Sequence, residues 1–195
     1  MADPIRHDAF AGLAAADRVI PGPEPVTLAV LPFRGKLILR GGQAVRALVA
    51  EVLGTELPPL LRSAVAGEVD ILGLGPDEWL LLAPPDRAEA LAMELRAALA
   101  GHHHAVVVIS DRMTGLVVGG ARARDVLSAG CAIDLHPSAF PPGSTTRTLL
   151  GKATIVLRRP DDAETYEIWV NGSFAPYVWL FLENAAREFG VVIPA

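Results

Sequence analysis

The sequence has little of three features that would define its function: cysteine, long apolar runs and clustered basic residues. Its single cysteine, Cys131, excludes an intrachain disulfide and a zinc site built on paired cysteines. No apolar run approaches the ~18 residues of a membrane-spanning helix. Residues 1–8 also lack the apolar core of a signal peptide. We therefore predict a cytoplasmic chain with no membrane segment.

The charge pattern argues against nucleic acid as a partner. The net charge is −5, and acidic and basic residues are interspersed without a lysine- or arginine-rich face. In contrast, 51% of the 195 residues are apolar, and the mean hydropathy is +0.37. This excess predicts either a large core or a surface that another chain covers.

Residues 1–25 are predicted to form an extended N-terminal arm. The three prolines within residues 19–25 fix φ and remove backbone donors, so that stretch cannot hold a helix. The arm carries Phe10, Leu13 and Ile20, and it is expected either to pack back on its own domain or to lie on a partner.

The body of the chain contains an internal repeat with an offset of 78 residues. Leu37-Ile38-Leu39 followed by Gly41-Gly42 matches Gly115-Leu116-Val117 followed by Gly119-Gly120. Apolar residues at helical spacing follow each glycine pair, so each copy predicts a strand, a tight turn and an amphipathic helix.

Further segments extend each copy in the same way. Residues 69–74 and 154–159 each predict an extra strand, and residues 77–82 and 166–170 each predict a strand followed by a helix. We therefore predict an α+β fold of two pseudo-repeated ferredoxin-like halves, 26–104 and 105–195, with helices packed on antiparallel sheet. The two halves form either two small domains or one pseudo-symmetric domain.

A thiol active site is one interpretation of the polar segment 130–152. Cys131 would act as nucleophile with His136 as its base, and Asp134 would orient the histidine. A buried structural cysteine is favoured instead, because free cysteine packs as a small apolar residue. Leu53, the matching position in the first copy, is also apolar.

Other candidate sites are explained more simply by structure. Lys152 has no glycine loop before it and no Ser or Thr after it, so it does not form a P-loop. The histidines at 102–104 are favoured as a surface loop, because no third metal ligand lies nearby. The glycine pairs fit sharp turns. No catalytic, cofactor-binding or metal-binding residue is predicted.

The last helix, predicted from an N-cap at Ser173 to about residue 189, is more informative. Its main apolar face comprises Phe174, Tyr177, Val178, Phe181, Leu182 and Ala185. Trp179 and Leu180 fall outside that face, which indicates either deep burial or a partner surface. The candidate partner interface comprises Phe10, Leu13, Ile20, His136, Phe140, Trp179 and Leu180.

Several segments, in the same order, resemble the gamma subunit of heterotetrameric sarcosine oxidase. They are residues 115–127, 130–137, 140–143 and 148–152, together with Phe174-Ala175 and the tryptophan-bearing terminal helix, within 111–190. The segment 75–80 is similar to that family's tryptophan strand. The resemblance also implies a fold related to aminomethyltransferase folate-binding domains.

The family resemblance implies a non-catalytic structural subunit. Its complex would demethylate sarcosine oxidatively to glycine and transfer the one-carbon unit to tetrahydrofolate. The partners would be alpha, beta and delta subunits, and FAD, FMN, NAD and tetrahydrofolate would be bound on those subunits rather than on this chain. The alternative is a folate- or anion-binding module related to aminomethyltransferases.

Overall fold

The computed structural model describes residues 9, 10, 13, 17–161 and 163–194 of the chain. The strands are β1 (Arg18–Ile20), β2 (Val26–Val30), β3 (Gly35–Gly41), β4 (Ser63–Ala66), β5 (Val69–Gly73), β6 (Glu78–Ala83), β7 (His104–Val108), β8 (Met113–Gly119), β9 (Ser144–Leu150), β10 (Ala153–Arg159), β11 (Thr165–Asn171) and β12 (Val191–Ile193). The helices are α1 (Gln43–Leu53), α2 (Ala88–Ala98), α3 (Ala123–Ser128) and α4 (Ala175–Ala186).

The strands form two sheets. The five-stranded sheet has the order β4-β5-β6-β3-β7, and all of its pairings are antiparallel. The seven-stranded sheet has the order β1-β12-β2-β8-β11-β10-β9, and only β12–β2 is parallel. Helices α1 and α2 pack on the first sheet, and α3 and α4 pack on the second. The predicted α+β class is confirmed.

The two sheets exchange one strand each. β2 precedes β3 in the chain but pairs with β8, whereas β7 precedes β8 but pairs with β3. The 78-residue offset carries β2 onto β7, so the exchange is reciprocal. The sheets therefore do not follow the predicted division at 26–104 and 105–195. β1, from the predicted arm, also joins a sheet edge, while residues 1–8 of that arm lie outside the described residues.

Successive side chains of a strand point to opposite faces of its sheet. In both sheets, apolar side chains pack against the helices on one face and against the other sheet on the opposite face. On β3, Leu37 and Leu39 belong to the cluster beneath α1 and α2, whereas Ile38 packs toward the other sheet. The layer between the sheets contains Leu72, Leu80, Leu82, Val156 and Trp169. Two sheets with two covered faces each account for much of the apolar content that the sequence analysis attributes to a core or a partner.

A buried guanidinium links the two sheets. Arg158 on β10 donates to Asp70 Oδ1 on β5 at 2.8 Å and to Glu167 Oε2 on β11 at 3.2 Å. Arg34 lies 3.1 Å from the other oxygen of Asp70. Burial of the Arg158 side chain reduces solvent screening of these pairs. The link therefore fixes one sheet against the other.

The predicted strand–turn–helix units are present in both copies. β3 leads into α1, and β8 leads into α3. Gly120 needs to be glycine, because its φ is 108°. The predicted N-cap at Ser173 is wrong: residues 172–174 form a 3-10 turn, and Phe174 occupies the cap position without a side-chain hydrogen bond.

Candidate partner interface

Trp179 lies in the core of the chain, so its prediction as an interface residue is corrected. The side chain is 0% exposed, and its ring centroid lies 5.6 Å from that of Phe10. The indole N–H donates to Glu183 Oε2 at 3.2 Å, and Glu183 also pairs with Arg18. The buried stripe of α4 is rotated by one position from the predicted one, because this helix is apolar on nearly all sides.

The described part of the N-terminal arm packs on its own chain. Phe10 is buried, and Leu13 and Ile20 are half-buried against the core beneath α3 and α4. Arg18 holds this segment to α4 through Glu183. The arm residues therefore complete the fold, and Phe10 cannot present its side chain to a partner.

Phe140 is also internal, whereas His136 is exposed. The Phe140 ring stacks on Tyr166 with centroids 6.5 Å apart, and its carbonyl accepts a hydrogen bond from Arg159 at 3.1 Å. Burial raises the pKa of Tyr166 above its ordinary value. Asp134 Oδ1 accepts the backbone N–H of His136 at 2.8 Å. Residues 130–143 thus connect α3 to β9, and their polar groups shape turns, whereas residues 144–150 are β9 itself.

Cys131 lacks the surroundings of a catalytic thiol. It is 6% exposed within the core and forms an isolated β-bridge with Leu150. The carboxylate of Asp134 engages backbone, and the His136 ring faces Ser138 Oγ at 2.7 Å. The arrangement therefore supplies no third group to orient the histidine as a base for the thiol.

We expect the Cys131 thiol to react with DTNB only after the protein is unfolded, because the nucleophilic thiolate needs solvent access. Absorbance of the released thionitrobenzoate measures this directly, since the chain has no other cysteine. The Cys131→Ala variant is the matched blank in both states. Full labelling of the native protein within minutes would contradict the buried position.

The remaining sequence candidates do not form a site. His104 Nδ1 lies 2.8 Å from the carbonyl of His102 at the surface, as expected for a local turn. Among the described residues, no group of three or more His, Cys, Asp or Glu side chains could hold a metal ion. No helix in the described ranges is long and apolar enough to cross a membrane.

The outward face of α4 is the strongest candidate surface for a partner. Leu180 is 53% exposed and Phe174 is 43% exposed. The rings of Phe174, Tyr177 and Phe181 form a row, with neighbouring centroids 6.5 and 6.3 Å apart. The exposed positions of α4 carry no charge, whereas those of α2 include Glu89, Glu94 and Arg96.

The predicted apolar face includes Phe174, Tyr177 and Phe181. In the structure Phe174 is exposed, and Tyr177 and Phe181 are half-buried at the edge of the core. The sequence signal for an apolar outer face was the lack of charged residues at the exposed positions of α4, since those of α2 carry them. Two helices in matching places of a repeat show opposite outer chemistry, and periodicity within α4 alone could not show which side is exposed.

Comparisons with known proteins agree with the resemblance. Residues 40–188 match the model of the family described as sarcosine oxidase, gamma subunit. Sarcosine oxidase subunit gamma from Corynebacterium sp. (strain P-1) is 38% identical over 146 residues, covering 73% of this chain and 70% of that protein. The Arthrobacter sp. subunit is 38% identical over 151 residues, covering 76% and 72%.

A solved structure of sarcosine oxidase agrees with this assignment, and a second solved structure shows only a shared fold. A chain of the heterotetrameric sarcosine oxidase from Corynebacterium sp. U-96, in complex with pyrrole 2-carboxylate, has a TM-score of 0.81 and 31% identity, with 95% of this chain and 97% of that chain covered. Glycine cleavage system aminomethyltransferase T from Bartonella henselae has a TM-score of 0.67 and 16% identity, covering 87% and 47%, which shows a shared fold alone. The chain belongs to the sarcosine oxidase gamma subunit family.

Proposed function

We propose that this chain is a non-catalytic structural subunit of a cytoplasmic heterotetrameric sarcosine oxidase. Its partners are the alpha, beta and delta subunits of that enzyme. The complex demethylates sarcosine oxidatively to glycine and passes the one-carbon unit to tetrahydrofolate. FAD, FMN, NAD and tetrahydrofolate are held by the other subunits. Family membership is the observation that carries this proposal.

The apolar face of α4 supports a structural role. Leu180 stands beside the aromatic row of Phe174, Tyr177 and Phe181 on a helix whose outer side has no charge. Apolar and aromatic residues are enriched in the buried centre of protein interfaces. His136, which is exposed on the segment 130–152, is a second candidate contact.

The Leu180→Glu variant is expected to bind the co-expressed alpha, beta and delta subunits about tenfold more weakly or worse, because it buries an unpaired charge at the contact. Affinity chromatography and analytical ultracentrifugation of the complex measure the loss. Met93→Glu is the matched control, since Met93 is the corresponding residue of α2 and is 62% exposed.

Equal loss in both variants, or none in either, would contradict α4 as the contact. The isolated wild-type chain should show neither flavin absorbance nor sarcosine turnover. Turnover by the chain alone would overturn the non-catalytic role.

We also propose that the fold is a duplicated ferredoxin-like unit. In the first unit, the elements follow one another along the chain as β3, α1, β5, β6, α2 and β7. Within the five-stranded sheet, these strands lie side by side in the order β5-β6-β3-β7. In the other sheet, β10-β11-β8 repeats the order β5-β6-β3, and β2 takes the place of β7. The reciprocal exchange of β2 and β7 then joins the two units into one body.

A further inference from the structure

A cleft opens on the helical side of the five-stranded sheet. It lies between the end of α1, the β4–β5 turn and the start of α2, and its volume is about 430 Å³. Its lining residues are Val52, Leu53, Ala66, Glu68, Val69, Pro84, Asp86, Arg87 and Leu91. The floor is apolar and the rim is charged, as are the centre and the rim of a protein–protein interface.

The other half of the chain contains the matching turn. Ala66 pairs with Val69 around Gly67, and Leu150 pairs with Ala153 around Gly151. The two glycines have nearly the same backbone conformation, with φ values of 57° and 56°. Both hairpins therefore present the same two-residue turn beside a helix.

In the second half, aromatic side chains of α4 fill the space beside that turn. The Tyr177 hydroxyl accepts the backbone N–H of Lys152 at 3.1 Å. A Cβ added to Gly151 would lie 2.3 Å from that hydroxyl, and one added to Gly130 would lie 2.4 Å from Phe181. At Gly67, by contrast, an added Cβ would meet nothing within 4 Å.

The difference between the halves arises from two helix positions. α2 and α4 both begin with a buried alanine after a 3-10 turn, which aligns Ala90 with Tyr177 and Glu94 with Phe181. The side chain of Ala90 is a single methyl group, and Ala90 is not among the residues that line the cleft. Glu94 is held by Arg87 through hydrogen bonds of 2.8 and 2.6 Å, which lower the pKa of Glu94.

The rim of the cleft carries uncompensated negative charge. Glu68 and Asp86 are exposed and have no side-chain partner within the described part of the chain. Arg87 is neutralised by Glu94. The C-terminus of α1, capped by Gly54 and without a basic residue in its last turn, adds the negative end of a helix dipole.

We propose that this cleft receives a tyrosine-type aromatic side chain, flanked by a basic residue, from another subunit of the complex. The ring would occupy the space that Tyr177 and Phe181 fill in the second half, and the hydroxyl would accept the N–H of Glu68. The basic neighbour would face Glu68 and Asp86. This inference rests on the proposed function, because it requires the chain to be part of an assembly.

The lining favours a polypeptide over a small aromatic molecule. Small-ligand sites enclose most of the ligand and fix it with several precisely placed polar groups. Here Glu68 and Asp86 are exposed on the rim, and the floor offers only apolar contact. A side chain on a folded partner requires less enclosure and fewer polar contacts from the cleft, because the rest of the partner positions it.

The first test replaces two residues of α2 by aromatic residues whose side chains are expected to occupy the cleft. The Ala90→Tyr/Glu94→Phe double variant gives α2 the aromatic pair that α4 carries. We expect it to fold with an undiminished Tm and to bind the co-expressed alpha, beta and delta subunits about tenfold more weakly or worse. The control, Glu89→Tyr/Met93→Phe, places the same residues one position earlier on exposed sites and should bind as the wild type does.

A second variant keeps the inference testable if the first does not fold. Glu68→Lys/Asp86→Lys alters only exposed side chains and should slow association and reduce its dependence on salt. The control Asp161→Lys/Glu164→Lys makes the same charge change in an exposed loop.

Wild-type affinity in the cleft-filling or charge-reversed variants would overturn the inference. Saturable p-cresol binding to the isolated chain, together with unaltered assembly, would reassign the cleft to a small aromatic ligand and also overturn it. If the wild-type chain binds none of the three subunits, the proposed function fails, and the inference fails with it.

Discussion

Replacing Trp179 by alanine is expected to lower the free energy of unfolding by about 3–5 kcal/mol, the usual cost of truncating a buried tryptophan. The side chain is fully enclosed, packs on Phe10, and donates to Glu183. The variant loses that packing and leaves a cavity where α4 meets the N-terminal arm. Urea denaturation followed by far-UV circular dichroism measures the change.

Leu180→Ala is the matched control, because it truncates the next residue of the same helix where the side chain is largely in solvent. Its unfolding free energy should stay within about 0.5 kcal/mol of the wild type. If Trp179→Ala were equally stable but bound the other subunits poorly, Trp179 would be a surface residue and its placement in the core would be wrong.

The second large effect is expected from Arg158→Met, which should cost about 3 kcal/mol because it leaves two carboxylates without their shared buried cation. Asp70 and Glu167 come from different sheets, and Arg158 contacts both. Asp70 keeps a contact with Arg34 at 3.1 Å, which limits the loss. Differential scanning calorimetry and urea denaturation measure it.

Arg87→Met is the control for charge removal, since the Arg87–Glu94 pair is exposed and is screened by solvent. It should destabilise the chain far less than Arg158→Met. Similar small losses in both variants would show that the link between the sheets contributes no more than an ordinary surface ion pair.

The exchange of β2 and β7 explains why both substitutions, at Trp179 and at Arg158, are expected to destabilise the whole chain. Because β2 completes the sheet of β8, and β7 completes the sheet of β3, neither half has a full sheet of its own. The apolar layer between the sheets and the Arg158 ion pairs hold together the two sheets that these chain connections already join. A local loss in either half therefore acts on the whole body.

Local patterns in the sequence predicted the elements well. The repeat placed β3 before α1 and β8 before α3, and the matching segments that follow each copy placed β5, β6, β10 and β11. The short edge strand β4 was missed, because Ser63–Ala66 has no strong alternation. The buried position of Cys131 was predicted from its apolar counterpart, Leu53.

Only part of the candidate interface is accessible to a partner. Leu180 and His136 are exposed as an interface requires, whereas Phe10, Phe140 and Trp179 are core residues. An apolar side chain has the same tendency to leave water whether its own chain or a partner covers it. Composition therefore cannot distinguish the two destinations.

The sequence by itself determined most of the strand and helix segments, the repeat, and the family to which the chain belongs. It could do so because these depend on residue order and on local periodicity. Only the tertiary structure decided which strand completes which sheet, which side of α4 faces outward, and where a cleft stays open beside Gly67. These are set by contacts between residues far apart in the chain, and neither periodicity nor residue type records such contacts.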